Sequence, residues 1–222
     1  MTTYYFALKP SDTLRDQVLT LLKNLDSGVS EPQHKLHTQI SILMTDEILD
    51  NLLMSIVNAM KGEGEGAGIL GTLTNLLKST VHMLIRQMLG KHDNAEINRM
   101  AKYLRDRSLT INGEFRLGFP LTDAYGATMI DLLGKAMAGE GEKYRPEITK
   151  VMDEFVDLAT VKLYDEFVEP VPLGFILRKG AGLGRSTINK GSHTAINRVF
   201  PTFNGEQIKT FGGIYSDMFI KV

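Results

Sequence analysis

The 222-residue chain is 43% hydrophobic and 23% charged with a formal net charge of −1, the composition of an ordinary globular protein with a sizeable core. It has no cysteine, which excludes disulfides, thiolate catalysis and cysteine-based zinc sites. No apolar run approaches the ~18 residues of a membrane-spanning helix, and MTTYYFALKPSDTL lacks a basic, apolar leader, so a cytoplasmic protein is expected.

In chain order, TYYFAL reads as a first strand, and Leu14, Val18, Leu21 and Leu22 pattern a helix. Thr38, Ile40, Ile42 and Met44 alternate with His37, Gln39 and Ser41, which predicts a strand. Ile48, Leu49, Leu52, Leu53, Ile56, Val57 and Met60 then mark an amphipathic helix, with Thr45 or Asp46 as its cap and Gly62 at its end. Leu70, Leu73, Leu77, Val81, Leu84 and Met88 predict a longer helix, and Ile97, Met100, Ala101 and Leu104 another.

Asn112-Gly113 is a hairpin signal, because both residues tolerate positive φ. Phe115, Leu117, Phe119 and Leu121 alternate as a strand, with a helix beginning at Thr122 or Asp123 and closing at Gly139. A further helix carries Pro146 in its first turn and Ile148, Val151, Met152, Phe155, Ala159 and Leu163 on its apolar face.

AMKGEGE, Ala59 to Glu65, returns as AMAGEGE, Ala136 to Glu142, at an offset of 77 residues. The same offset relates Thr45-Asp46 to Thr122-Asp123 and the two alternating quartets to each other. The expected fold class is therefore α+β, mainly helical. A helix-strand-helix-helix half-domain is duplicated (copies about 12–91 and 95–168) and packs about a pseudo-twofold axis in a body of residues 1–169.

Beyond Glu169 the pattern changes. PVPLGFILRKG reads as a strand, GAGLGRSTINKGSH shows no apolar helical period, and Asn204-Gly205 reads as a second hairpin turn. Residues 170–222 are expected to form an extended, antiparallel β segment. This segment holds seven Lys/Arg against two acids, a net of +5, while the remainder of the chain is net −6. Arg178, Lys179, Arg185, Lys190, His193 and Arg198 are its candidate anion-binding residues.

Lys179 to Thr187, KGAGLGRST, misses the P-loop pattern: three residues separate Gly180 from Gly184, and Arg185 follows where lysine is required. The pairs His37-Thr38 and His193-Thr194 miss the His-x-Thr/Ser spacing of the two-histidine phosphoesterases, with Gln39 and Ala195 in place of the hydroxyls. Glu63, Glu65, Glu140 and Glu142 read as solvated turns rather than a cation site. No metal and no cofactor is expected.

Two functions follow. The first is a non-enzymatic interaction or assembly protein whose basic arm docks on an acidic partner surface, most simply another copy, with nucleic acid as a variant. The second is an enzyme or binder of a phosphorylated or anionic small molecule, using the loop 178–193.

Overall fold

A computed structural model describes residues 2–59 and 65–222, with side chains for all of these except 59 and 65–67. Gly62 and Glu63 of the first heptapeptide therefore lie outside the described residues, as does the side chain of Glu65.

The chain is mainly helical, with one small antiparallel sheet. Strand β1 (Tyr4–Leu8) is followed by α1 (Asp12–Asp26) and α2 (His34–Leu49). A π-helical turn (Asp50–Met54) joins α2 to α3 (Ser55–Ala59). Next come α4 (Glu65–Leu89), α5 (Asn94–Met100) and α6 (Lys102–Arg107), then the hairpin β2 (Ser108–Ile111) and β3 (Glu114–Leu121). Helix α7 (Asp123–Lys135) runs through a π segment (Ala136–Glu140) towards α8 (Arg145–Ala159), which continues as a π turn (Thr160–Asp165) and the short α9 (Glu166–Val168). Helices α10 (Phe175–Val199) and α11 (Gly205–Ser216) lead to the last strand, β4 (Phe219–Lys221).

The sheet order is β2-β3-β1-β4, with every neighbour antiparallel. Asn112 (φ 52) and Gly113 (φ 80) make the tight β2–β3 turn, as their tolerance of positive φ predicts. Strand β1, from the start of the chain, lies between β3 and β4, from its middle and its end. Thr3 and Val222 exchange two backbone hydrogen bonds of 2.9 Å.

On the covered face of the sheet, Phe6 stands directly opposite Phe119 on one side and Phe219 on the other. The ring centroids lie 5.2 and 5.4 Å apart, and Phe155 of α8 closes over them at 4.9 Å from Phe6 and 5.1 Å from Phe219. Tilted and edge-on aromatic contacts of this kind add stability beyond the area they bury.

Two buried clusters fill the interior. One gathers Phe6, Phe119 and Phe155 with Val199, Phe200, Phe203, Phe211 and Tyr215 from the C-terminal helices. The other joins α1, α2, α4, α5 and α6 through Leu14, Val18, Ile40, Leu84, Ile97 and Leu104. Ile48 and Ile188 pack against both, at the seam.

Several expectations hold. Thr122 caps α7 by accepting from the Tyr125 amide, Pro146 sits in the first turn of α8, and Gly139 takes φ 86 where a left-handed closure was expected.

Others are corrected. Residues 38–44 are helical rather than extended: α2 buries His37, Ile40, Ser41 and Met44, the i, i+3, i+4, i+7 face of a helix. Thr45 therefore caps nothing, and its hydroxyl donates to the Ser41 carbonyl within the same helix. At the 77-residue offset, the strand β3 thus corresponds to a helix and not to a second strand.

Residues 170–222 are not an extended β segment either. They form a 25-residue helix, a 12-residue helix and one three-residue strand. Asn204-Gly205 starts α11 instead of turning a hairpin: Asn204 accepts from the Gln207 amide, and the Gln207 side chain accepts in return from the Asn204 amide, a reciprocal capping box.

His37 is a buried base, 1% exposed, whose Nδ1 has no hydrogen-bond partner. Burial, with a smaller contribution from the nearby His92, pulls its pKa from 6.5 down to about 4. The unfolded chain then binds this proton more readily than the folded one, so stability falls as pH drops from 6.5 towards 4. The shift corresponds to roughly 3 kcal/mol lost across that interval. The variant His37→Leu is expected to flatten that part of the stability profile, read by urea unfolding at pH 7.0, 5.5 and 4.5. An unchanged slope would remove His37 as its source.

Candidate functional site

All six candidate anion-binding residues lie on α10, so the structure replaces the expected flexible loop with a rigid helix. Its inner face is built from small residues. Ala181, Gly184, Ala195 and Val199 are buried, with Ile188 and Gly191 partly so, at helical steps of three and four.

A Cβ added at Gly184 would come within 2.4 Å of Leu84 Cδ1, and one at Gly191 within 2.8 Å of Leu73 Cδ1. Gly184, the last glycine of GAGLG, and Gly191 therefore serve close helix packing. Because Gly184 faces Leu84 while Gly191 faces Leu73, α10 and α4 run antiparallel.

A polar ladder ties the same helix to α8 and the turn after it. Arg185 grips Asp165 with two hydrogen bonds, Nε at 2.7 Å and Nη2 at 2.8 Å. Asn189 donates to Asp157 at 2.9 Å. The ring nitrogens of His193 lie 2.6 Å from Asp153 and 3.0 Å from Asp157. Asn197 donates to Asp153 at 2.6 Å. The four α10 residues are spaced by four, one turn apart, so a single stripe faces the acidic stripe of α8.

Burial works to lower the His193 pKa, but hydrogen bonding and proximity to Asp153 and Asp157 outweigh it, and the net shift is upward. Asp157 is held below its ordinary value by hydrogen bonds from Asn189 and His193.

The remaining four candidates are free for other work. Arg178, Lys179, Lys190 and Arg198 are exposed, and none forms an ion pair with a described residue. The Lys179 ammonium rests 4.4 Å over the Phe175 ring. Beside them stand Phe175, Ile176 and Leu183, exposed by 74, 82 and 72%. On the neighbouring α4, Leu76 and Met83 are half exposed. Large apolar side chains this exposed depart from a solvated surface. Arg178 also borders a shallow hollow with Asp165, Glu169 and Arg185.

Under α10 lies a different feature, an apolar cavity of about 150 Å³ at the seam between the two core clusters. Sequence periodicity could not reveal it, because its walls come from α2, α4, α8, α10, α11 and two π turns.

Among the described residues, no cluster of three metal-ligating side chains occurs, and no helix is long and apolar enough to cross a membrane. Comparison with known proteins returns no match to a family model, a curated protein or a solved structure.

Because the folded-state pKa of His193 is raised, its contribution to stability is complete below 6.5 and is lost as pH rises through the folded value. The double variant Asp153→Asn/Asp157→Asn is expected to return the His193 titration towards 6.5, read from its imidazole resonances. A titration that does not move would contradict the pairing of His193 with Asp153 and Asp157. Gly184→Leu is expected to destabilise by about 1–3 kcal/mol through overpacking against Leu84, measured by thermal or urea unfolding.

Proposed function

We propose that the protein is a non-enzymatic interaction protein that docks through the outer face of α10. Its partner is an acidic surface able to cover apolar side chains, most simply the body of a second copy. The observation that carries this reading is the exposure of Phe175, Ile176 and Leu183 by more than 70% each, on a helix otherwise fixed firmly to the core. Ile176 and Leu183 are seven residues apart and share one face.

Arg178, Lys179, Lys190 and Arg198 surround these side chains, and the chain outside residues 170–222 is net −6. Opposite charge would steer and register the contact, while the buried apolar residues would supply most of the affinity. The reading as a binder of anionic small molecules has less to draw on, since Arg185 and His193 are already held by carboxylates. A duplicated origin of the two helix–Gly/Glu–helix segments would also be consistent with an assembly protein, whose halves need not retain equivalent surfaces.

Sedimentation velocity across a concentration series tests the proposal. The full chain is expected to self-associate, more weakly at high salt because the steering charges are screened. The variant Phe175→Asp/Ile176→Asp/Leu183→Asp is expected to be a folded monomer, since all three side chains are solvent-facing. A full chain that stays monomeric throughout would contradict self-association. Release of bound nucleic acid by salt would redirect the face to phosphates.

A further inference from the structure

We infer that the cavity beneath α10 is a binding site for a neutral alkyl chain ending in a single hydrogen-bonding group. The inference is independent of the docking face and rests on the walls of the cavity.

The space of about 150 Å³, half open to solvent and walled almost wholly by apolar atoms, has room for a small hydrocarbon. A second hollow of about 40 Å³ adjoins it, with Thr45, Ile48, Val81, Leu163 and Tyr164 lining both. Two adjoining hollows with mainly aliphatic walls suit a chain better than a ring. No charged side chain lines either part. A carboxylate or ammonium drawn inside would lose its hydration without a counter-ion, so the occupant must be uncharged there.

The polar groups of the wall are nearly all committed. Thr45 donates to the Ser41 carbonyl at 2.9 Å and Thr160 to that of Val156 at 2.7 Å. Tyr164 donates to the Ala181 carbonyl at 2.7 Å and Tyr215 to that of Leu52 at 2.6 Å. Ser192 is the exception: it lines the cavity, and its hydroxyl makes no hydrogen bond to a described residue. An apolar pocket with one placed polar group is the usual form of a small-molecule site, the polar group setting orientation.

The cavity is also built rather than left over. Two π turns line it, Asp50–Met54 through Leu52 and Leu53, and Thr160–Asp165 through Thr160, Leu163 and Tyr164. A π turn disturbs the i→i−4 ladder and needs outside donors for its carbonyls. Both receive them: Tyr215 donates to Leu52, and Arg107 and Tyr103 donate to Lys162 and Leu163 at 2.9 and 3.3 Å. Arg107 is itself 5% exposed, stacked 5.1 Å from the Tyr103 ring and paired with Glu166. Three separate side chains thus hold open the helix geometry that shapes the walls.

The test uses the full chain with ¹³C-labelled methyl groups and 1-octanol as the probe. Saturable shifts are expected at Ile48, Leu163 and Ile188, together with a rise in melting temperature by mass action. Sodium octanoate at neutral pH is expected to bind at least tenfold more weakly. Ala159→Phe and, from the opposite wall, Val81→Phe are each designed to fill the space and weaken octanol binding at least tenfold, so one misfolded variant leaves the other to decide. Ser192→Ala should lower octanol affinity more than it lowers that of octane. No saturable octanol binding, shifts at the α10 outer face only, or unaltered binding in a folded filled variant would overturn the inference.

Discussion

The pairing of the two chain ends about Phe6 is the constraint from which the architecture follows. Strand β1 can lie in the middle of a sheet only if β4, the last few residues, completes it, and Phe219 must reach Phe6 from the opposite side to Phe119. Phe155 then ties α8 to that ladder. Residues after Glu169 must therefore return across the whole body, and α10 and α11 are the route they take.

Helix α10 meets this demand with two unlike faces. Inward, small residues let it lie against α4, and a stripe of Arg185, Asn189, His193 and Asn197 matches the carboxylates of α8 and the turn beyond it. Part of the charge asymmetry between the C-terminal segment and the rest of the chain is thus neutralised internally. Outward, the helix presents apolar side chains and cations that form no ion pair with a described residue. The cavity lies where α10 crosses the seam between the two core clusters, and Arg107, Tyr103 and Tyr215 stabilise its unusual helical walls.

The sequence read most clearly where large apolar residues carried the period, as in α1, α4, α8 and β3. It misled where two periods overlap. Ile40, Ile42 and Met44 recur at every second position, with Gln39 and Ser41 before and between them and Leu43 breaking the alternation, yet Ile40 and Met44 are also a helical pair with His37 and Ser41. Burial of that histidine and serine decided for the helix. The inner stripe of α10 was invisible to a search for Leu and Ile because Ala181, Gly184 and Gly191 carry it by their small size. Asn204 with Gln207 three residues on was a legible capping box, overshadowed by the Asn-Gly hairpin signal. The six candidate basic residues were rightly seen as neighbours in sequence. Which of them are held by carboxylates depends on Asp153, Asp157 and Asp165, and no linear spacing relates those to α10. The cavity has no sequence signature, since five helices and two π turns meet to form it.

The most direct test of this account is native-state hydrogen exchange, resolved by residue, under mildly destabilising conditions. If the chain ends and α10 are integral to one core, the amides of Phe6, Phe119, Phe155 and Phe219 and the inner stripe of α10 will exchange with a common opening free energy, equal to that of global unfolding. If α10 and β4 instead open at much lower free energy while β1, β3 and α8 remain protected, the C-terminal residues are a detachable segment, and the central place given to the Phe6 ladder is wrong.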